Sequence, residues 1–167
     1  MGGGRRAHIT GGPGRGRSVY EKYLGRVKQG LDERVGEEVL AFGLFVPRGS
    51  MMMLASPALS MMQKRKTKKA AGGRKLPRSI ALAVTPNSFC AFGIKDSGYT
   101  GKGNLKDEVG RWPRETTQVE RGGGNLMSRL TLSFADGTRL ELEVVNIMGM
   151  RKINEEFFRE ISSSPSG

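Results

Sequence analysis

The stretch "LTLSFADGTRLELEVV" (130–145) constrains the fold more than any other part of the chain. Leu130, Leu132 and Phe134 alternate with Thr131 and Ser133, and beyond Asp136-Gly137 the residues Leu140, Leu142 and Val144 alternate with Arg139, Glu141 and Glu143. A period of two on both sides of an Asp-Gly turn is the pattern of a half-buried β-hairpin. Its apolar face must lie on a core, while Glu141 and Glu143 fall on the outward, solvated side.

The neighbouring sequence extends this hairpin into a meander. "EVLAFGLFVP" (38–47) is short, apolar and ended by a proline, which suits a buried strand. "SIALAVTP" alternates Ile80, Leu82 and Val84, turns at Pro86-Asn87, and continues as "SFCAFGIK" with Phe89, Cys90, Phe92 and Ile94. "DSGYTGKGNLKDEVGRWP" (96–113) reads as a glycine-rich loop, and "ETTQVERG" as the strand it leads to. Trp112, between Arg111 and Arg114 in "RWPR", is placed as a ring closing the mouth of the sheet at a strand entry.

Two helices flank the strands. Ser18 and Glu21 stand three apart as in a capping box, and Tyr20, Leu24, Val27, Leu31 and Val35 form one apolar stripe over 18–36, with Gly36 as the stop. Gly25 and Gly30 weaken this helix, so its stripe must pack on something. That stripe is also long enough to pair with a second copy, which leaves the oligomeric state open. At the other end "RKINEEFFREIS" sets Ile153, Phe157 and Ile161 four apart, with Phe158 beside them, and so lays an apolar helix face on the sheet.

The remaining segments carry little that could bury. Residues 1–17 are Gly, Arg and Pro without period and read as a disordered basic tail; residues 163–167 are expected to fray. Between the first two strands, residues 48–77 hold the Met-rich run "MMMLASPALSMM" and then a basic run, and are expected to form a disordered insertion. All of the net charge imbalance lies in the N-terminal half. Residues 1–78 carry 17 Lys and Arg against 5 acids, a surplus of 12, whereas residues 79–167 carry 11 of each. A basic folded face is therefore not indicated.

Catalytic and metal chemistry have little to work with. Cys90 and His8 are the only residues of their types, so one chain offers no disulfide and no zinc site of the Cys/His kind. Cys90 sits within an apolar strand and reads as an inert thiol in a reducing compartment. "GYTGKGN" has the wrong spacing for a phosphate loop. No run reaches the 18 or so apolar residues of a membrane span, and no signal peptide is recognisable, so a cytoplasmic location is expected.

"LAVTPNSFCAFGI", "LSFADGTRLELEVV" and the terminal "INEEFFREI" together resemble the bacterial pleckstrin-homology-like (PH-like) proteins, over residues 37–47 and 79–162. The resemblance implies a mainly β fold with α+β content. Its form would be a small, strongly bent antiparallel PH-like barrel over 37–162, capped by the C-terminal helix and preceded by the helix of 18–36. It also implies a non-catalytic, cofactor-free binding module for lipids, peptides or partner proteins. In lipid-binding relatives the basic side chains that meet headgroups cluster in the loop joining the first two strands. Here the corresponding positions are Lys64, Arg65, Lys66, Lys68, Lys69, Arg74, Lys75 and Arg78, in a loop longer than in those relatives.

Three partner classes follow. An anionic membrane surface fits a cationic run beside an apolar one, which would place the protein at the inner membrane face. Nucleic acid fits the same charges together with Arg5, Arg6, Arg15 and Arg17 of the tail. A protein-interaction adaptor would instead use the groove beside the last helix. The competing structural account of the basic run is a solvated linker.

Overall fold

The computed structural model describes residues 19–49, 75–95, 103–123, 128–144 and 150–163. The elements are helix α1 (Val19–Val35), strands β1 (Ala41–Pro47), β2 (Ile80–Val84), β3 (Ser88–Ile94) and β4 (Leu105–Pro113), a 3-10 turn (Arg114–Thr116), strands β5 (Gln118–Gly123), β6 (Ser128–Ser133) and β7 (Arg139–Val144), and helix α2 (Arg151–Ser163). The expected tail of 1–17, the capping Ser18 and most of the expected insertion lie outside the described residues.

All seven strands join one antiparallel sheet in the order β4-β3-β2-β1-β7-β6-β5. Strand β1 pairs with β2 along Ala41–Phe45 and with β7 along Phe45–Pro47, so it belongs to both halves. The halves fold toward one another, because Phe45, Ile80, Leu82, Val84 and Phe89 of one share a core with Leu130, Leu132, Leu140, Leu142 and Val144 of the other. Helix α2 inserts Phe157 and Phe158 into that core. Phe157 meets Phe45 edge-on at 5.4 Å between ring centroids, and Phe158 meets it at 6.3 Å. A helix of 13 residues is marginal on its own, so these buried rings, each contributing about 2 kcal/mol, hold it in place.

The Asp-Gly hairpin forms as the pattern predicts. Gly137 takes φ +81°, its N–H donates to Phe134 O at 3.0 Å, and Phe134 N–H donates to Thr138 O at 2.9 Å. These bonds define a three-residue loop with glycine in the left-handed position. Asp136 Oδ1 accepts from the Thr138 N–H at 2.9 Å and braces the turn.

Helix α1 covers the other face of β1–β4. Tyr23, Val27, Leu31 and Val35 pack on Phe42, Leu44, Ala81, Ala83, Cys90, Phe92 and Ile94. The buried stripe therefore includes Tyr23, whereas Leu24 of the expected stripe is only partly buried. The stripe is spent on the chain's own sheet. Gly30 stands at a close approach of helix and sheet, since a Cβ there would lie 3.0 Å from the Leu105 side chain.

Three expectations are corrected. The glycine-rich loop of 96–113 contains a nine-residue strand, β4, whose register against β3 shifts on both sides of Phe92 and so loses regular alternation. The sheet is not closed: β4 and β5 lie at its two ends and do not pair. Charged edge residues protect these ends instead, Lys106, Asp107, Glu108 and Arg111 on β4 and Glu120 and Arg121 on β5. Trp112 spans part of the gap by stacking on Phe134, with centroids 4.3 Å apart and planes 9° from parallel. Thirdly, Glu143 is buried, because Arg48 and Gly49 turn over it and the Gly49 N–H donates to its Oε1 at 3.1 Å.

Candidate functional site

Register decides which charges meet. The pairs Phe45↔Ile80, Ile80↔Gly93 and Ile94↔Leu105 bring the end of β1, the start of β2, the end of β3 and the start of β4 to one end of the sheet. The β1–β2 and β3–β4 connections both leave from there. Ile94 N–H donates to Ser79 O at 2.9 Å and Lys95 N–H to Asn104 O at 2.8 Å, which fixes the rims of both connections.

Exposed cations collect at this end: Lys75 and Arg78 before β2, Lys95 after β3 and Lys106 in β4. Leu76 packs against the inner core. The Pro77 ring and the Lys106 Cβ close over Gly93, so the segment entering β2 and the edge strand lie side by side. Arg34, in the last turn of α1, donates to Lys106 O at 2.6 Å and adds a fifth cation to the rim. Among the described residues Lys75, Arg78, Lys95 and Lys106 enter no ion pair, whereas nearby Arg48 pairs with Glu141 at 3.1 Å. Exposed cations without a fixed carboxylate keep their full attraction for a polyanion.

Of the residues singled out in the sequence, Lys75 and Arg78 stand at this rim, while Lys64, Arg65, Lys66, Lys68, Lys69 and Arg74 lie outside the described residues. Sequence reasoning missed Lys95 and Lys106. No local signal marks them, because only the β2–β3 and β3–β4 registers carry them to the basic loop.

The opposite end is held by polar latches. Arg114 donates to Thr85 O at 3.0 Å and reaches Glu160 of α2 at 3.2 Å, tying the β2–β3 turn to the closing helix. Glu37 accepts from the Thr85 hydroxyl at 2.9 Å and from Asn87 Nδ2 at 3.1 Å. Arg111 donates to Val35 O at 2.8 Å, where its charge suits the C-terminus of α1, and it pairs with Glu108. These cations are engaged within the fold.

Cys90 lies in the outer core under α1. Burial pushes its thiol up to about 11; Arg111 opposes the shift and Glu108 and Glu37 add to it. A thiol held protonated is a poor nucleophile. Among the described residues no three His, Cys, Asp or Glu side chains converge as metal ligands, and no helix is long and apolar enough to cross a membrane.

A concavity of about 290 Å³ opens between α1, the start of β1 and α2. Leu24, Leu40, Phe42 and Ile153 line it, with Lys28 on one wall and Glu156 on the other. Register thus brings cations from separate elements to one end of the sheet, and compared with known proteins the chain matches no family model and no curated protein.

Proposed function

We propose that this protein is a non-catalytic PH-like binding module that meets an anionic lipid surface through the basic end of its sheet, peripherally at the inner membrane face in the cytoplasm. The carrying observation is the common register of the β1–β2 and β3–β4 connections. It groups exposed Lys75, Arg78, Lys95 and Lys106 with the loop whose sequence holds Lys64, Arg65, Lys66, Lys68, Lys69 and Arg74. The strand order, the bend about β1 and the C-terminal helix seated on the inner core support the PH-like reading.

Near an anionic leaflet each Lys or Arg contributes about 1 kcal/mol, so four engaged cations supply roughly a thousandfold in affinity. Recognition of this kind is by charge density, and it weakens as salt rises. The apolar run "MMMLASPALSMM" beside the cations supplies side chains able to enter the interfacial region.

Vesicle co-sedimentation at physiological salt tests the reading. Anionic vesicles should retain the protein and neutral ones should not. A variant with Lys75, Arg78, Lys95 and Lys106 changed to Ser, and another with Lys64, Arg65, Lys66, Lys68 and Lys69 changed to Ser, should each bind at least tenfold more weakly. Equal binding to neutral vesicles, or none to either, sinks the membrane reading. Binding to a mixed-sequence oligonucleotide in the second case would move the basic end to nucleic acid.

A further inference from the structure

Among the described residues the large apolar side chains are buried or partly buried except Leu40, 39% exposed, in the groove between α1 and α2. Its surroundings are apolar at the floor, with Phe42 below and Leu24 and Ile153 on the two sides. The walls differ in sign. Lys28 stands on the α1 wall and Glu156 on the α2 wall. Among the described residues each has an exposed helical neighbour as its ion-pair partner, Lys28 with Asp32 at 2.7 Å and Glu156 with Lys152 at 3.9 Å. Exposed pairs of this kind contribute little and leave both side chains able to turn toward another partner.

We propose that this groove is the self-association face of the protein, with two copies related by a two-fold axis running along it, so that Lys28 of each copy meets Glu156 of the other around a shared Leu40 contact. The argument is charge complementarity. In a two-fold interface each side of the patch faces the opposite side of its copy. A groove with two walls of the same sign would repel itself in that arrangement; one wall positive and one negative attracts itself twice. Leu40 supplies the apolar centre of the contact, and the charges form its rim. A foreign segment would need an apolar anchor with a base on one flank and an acid on the other, which a second copy already carries at the right spacing.

The groove lies at the start of β1 and the basic rim at its end. Pairing through the groove therefore leaves the cations of both copies free. The inference stands on the groove alone and does not depend on the membrane reading.

Sedimentation equilibrium of the full chain tests it, from about 10 to about 300 µM, the range in which a small interface self-associates. The wild type should move toward twice the monomer mass. L40E should remain monomeric while keeping the wild-type far-ultraviolet circular dichroism. K28E and E156K should each weaken association about tenfold, since two facing pairs turn from attraction to repulsion. An equimolar mixture of K28E and E156K should recover it, because every facing pair in the mixed dimer is again of opposite sign. A loss of folding would not produce that recovery, so the mixture decides the question even if L40E folds poorly. A wild type that stays monomeric throughout, a dimer indifferent to L40E, or a mixture no better than its components would overturn the proposal.

Discussion

Replacing Asn154 by leucine should destabilise the fold although it adds an apolar side chain to the interior. Strand β7 pairs with β1 only over Phe45–Pro47. The next β1 amide in that direction, Leu44 N–H, donates to Asn154 Oδ1 at 2.9 Å, so a helix side chain takes over where the ladder ends. Asn154 is 1% exposed, so water cannot replace it readily. Leucine keeps much of the volume and removes the acceptor. The cost is that of a buried amide left unpaired, about 1–3 kcal/mol. Alanine removes the acceptor and leaves a cavity as well, for about 2–4 kcal/mol in all. For domains of about 100–200 residues, 2 kcal/mol lowers the melting temperature by roughly 5–10 °C. Urea unfolding followed by the fluorescence of Trp112, the only tryptophan, measures the change away from the substituted site. Amide exchange at Leu44 reads the bond itself. Asn154→Asp retains an acceptor oxygen and should keep Leu44 protected, while Asn154→Leu should not. An N154L protein within about 0.5 kcal/mol of wild type, with Leu44 still protected, would refute the assignment of that bond as a structural tie.

Two further outcomes follow from the packing. Gly43→Ala should cost about 1–3 kcal/mol, because the new Cβ would sit 2.6 Å from the Phe45 ring that meets Phe157 and Phe158; an unchanged urea midpoint would show that the ring can move freely. Cys90 should resist an aromatic disulfide reagent at pH 8 until urea exposes it. Its folded value of about 11 lies above the unfolded 9.0, so the stability it contributes is complete below pH 9 and is lost as pH rises toward 11. A Cys90→Ser variant should lose that part of the alkaline dependence, measured as the difference in unfolding free energy between pH 8 and pH 10.5. Rapid labelling of native Cys90 would contradict its burial.

Much of the architecture was legible because it depends on local pattern. The alternation around Asp136-Gly137 holds as β6 and β7, and the four-residue spacing of Ile153, Phe157 and Ile161 holds as α2. Strand β4 was not legible. Its apolar residues Leu105, Val109 and Trp112 are not two apart, since register shifts against β3 interrupt the alternation, and edge charges fill the positions between. Of the basic site, Lys75 and Arg78 could be read from the loop, but Lys95 and Lys106 could not, as only the β2–β3 and β3–β4 registers carry them to it.

Sequence alone determined the periods, the turns and the faces that must be buried, because these follow from each residue's neighbours along the chain. Only the tertiary structure decided that α1 spends its stripe on the outer face of β1–β4. It also decided that the sheet bends about β1 without closing. Glu143 lies under Gly49 although it occupies the polar side of an alternating strand. Each depends on which distant segment arrives at a surface, and a pattern of period two specifies that a face is covered or bare only relative to what packs there.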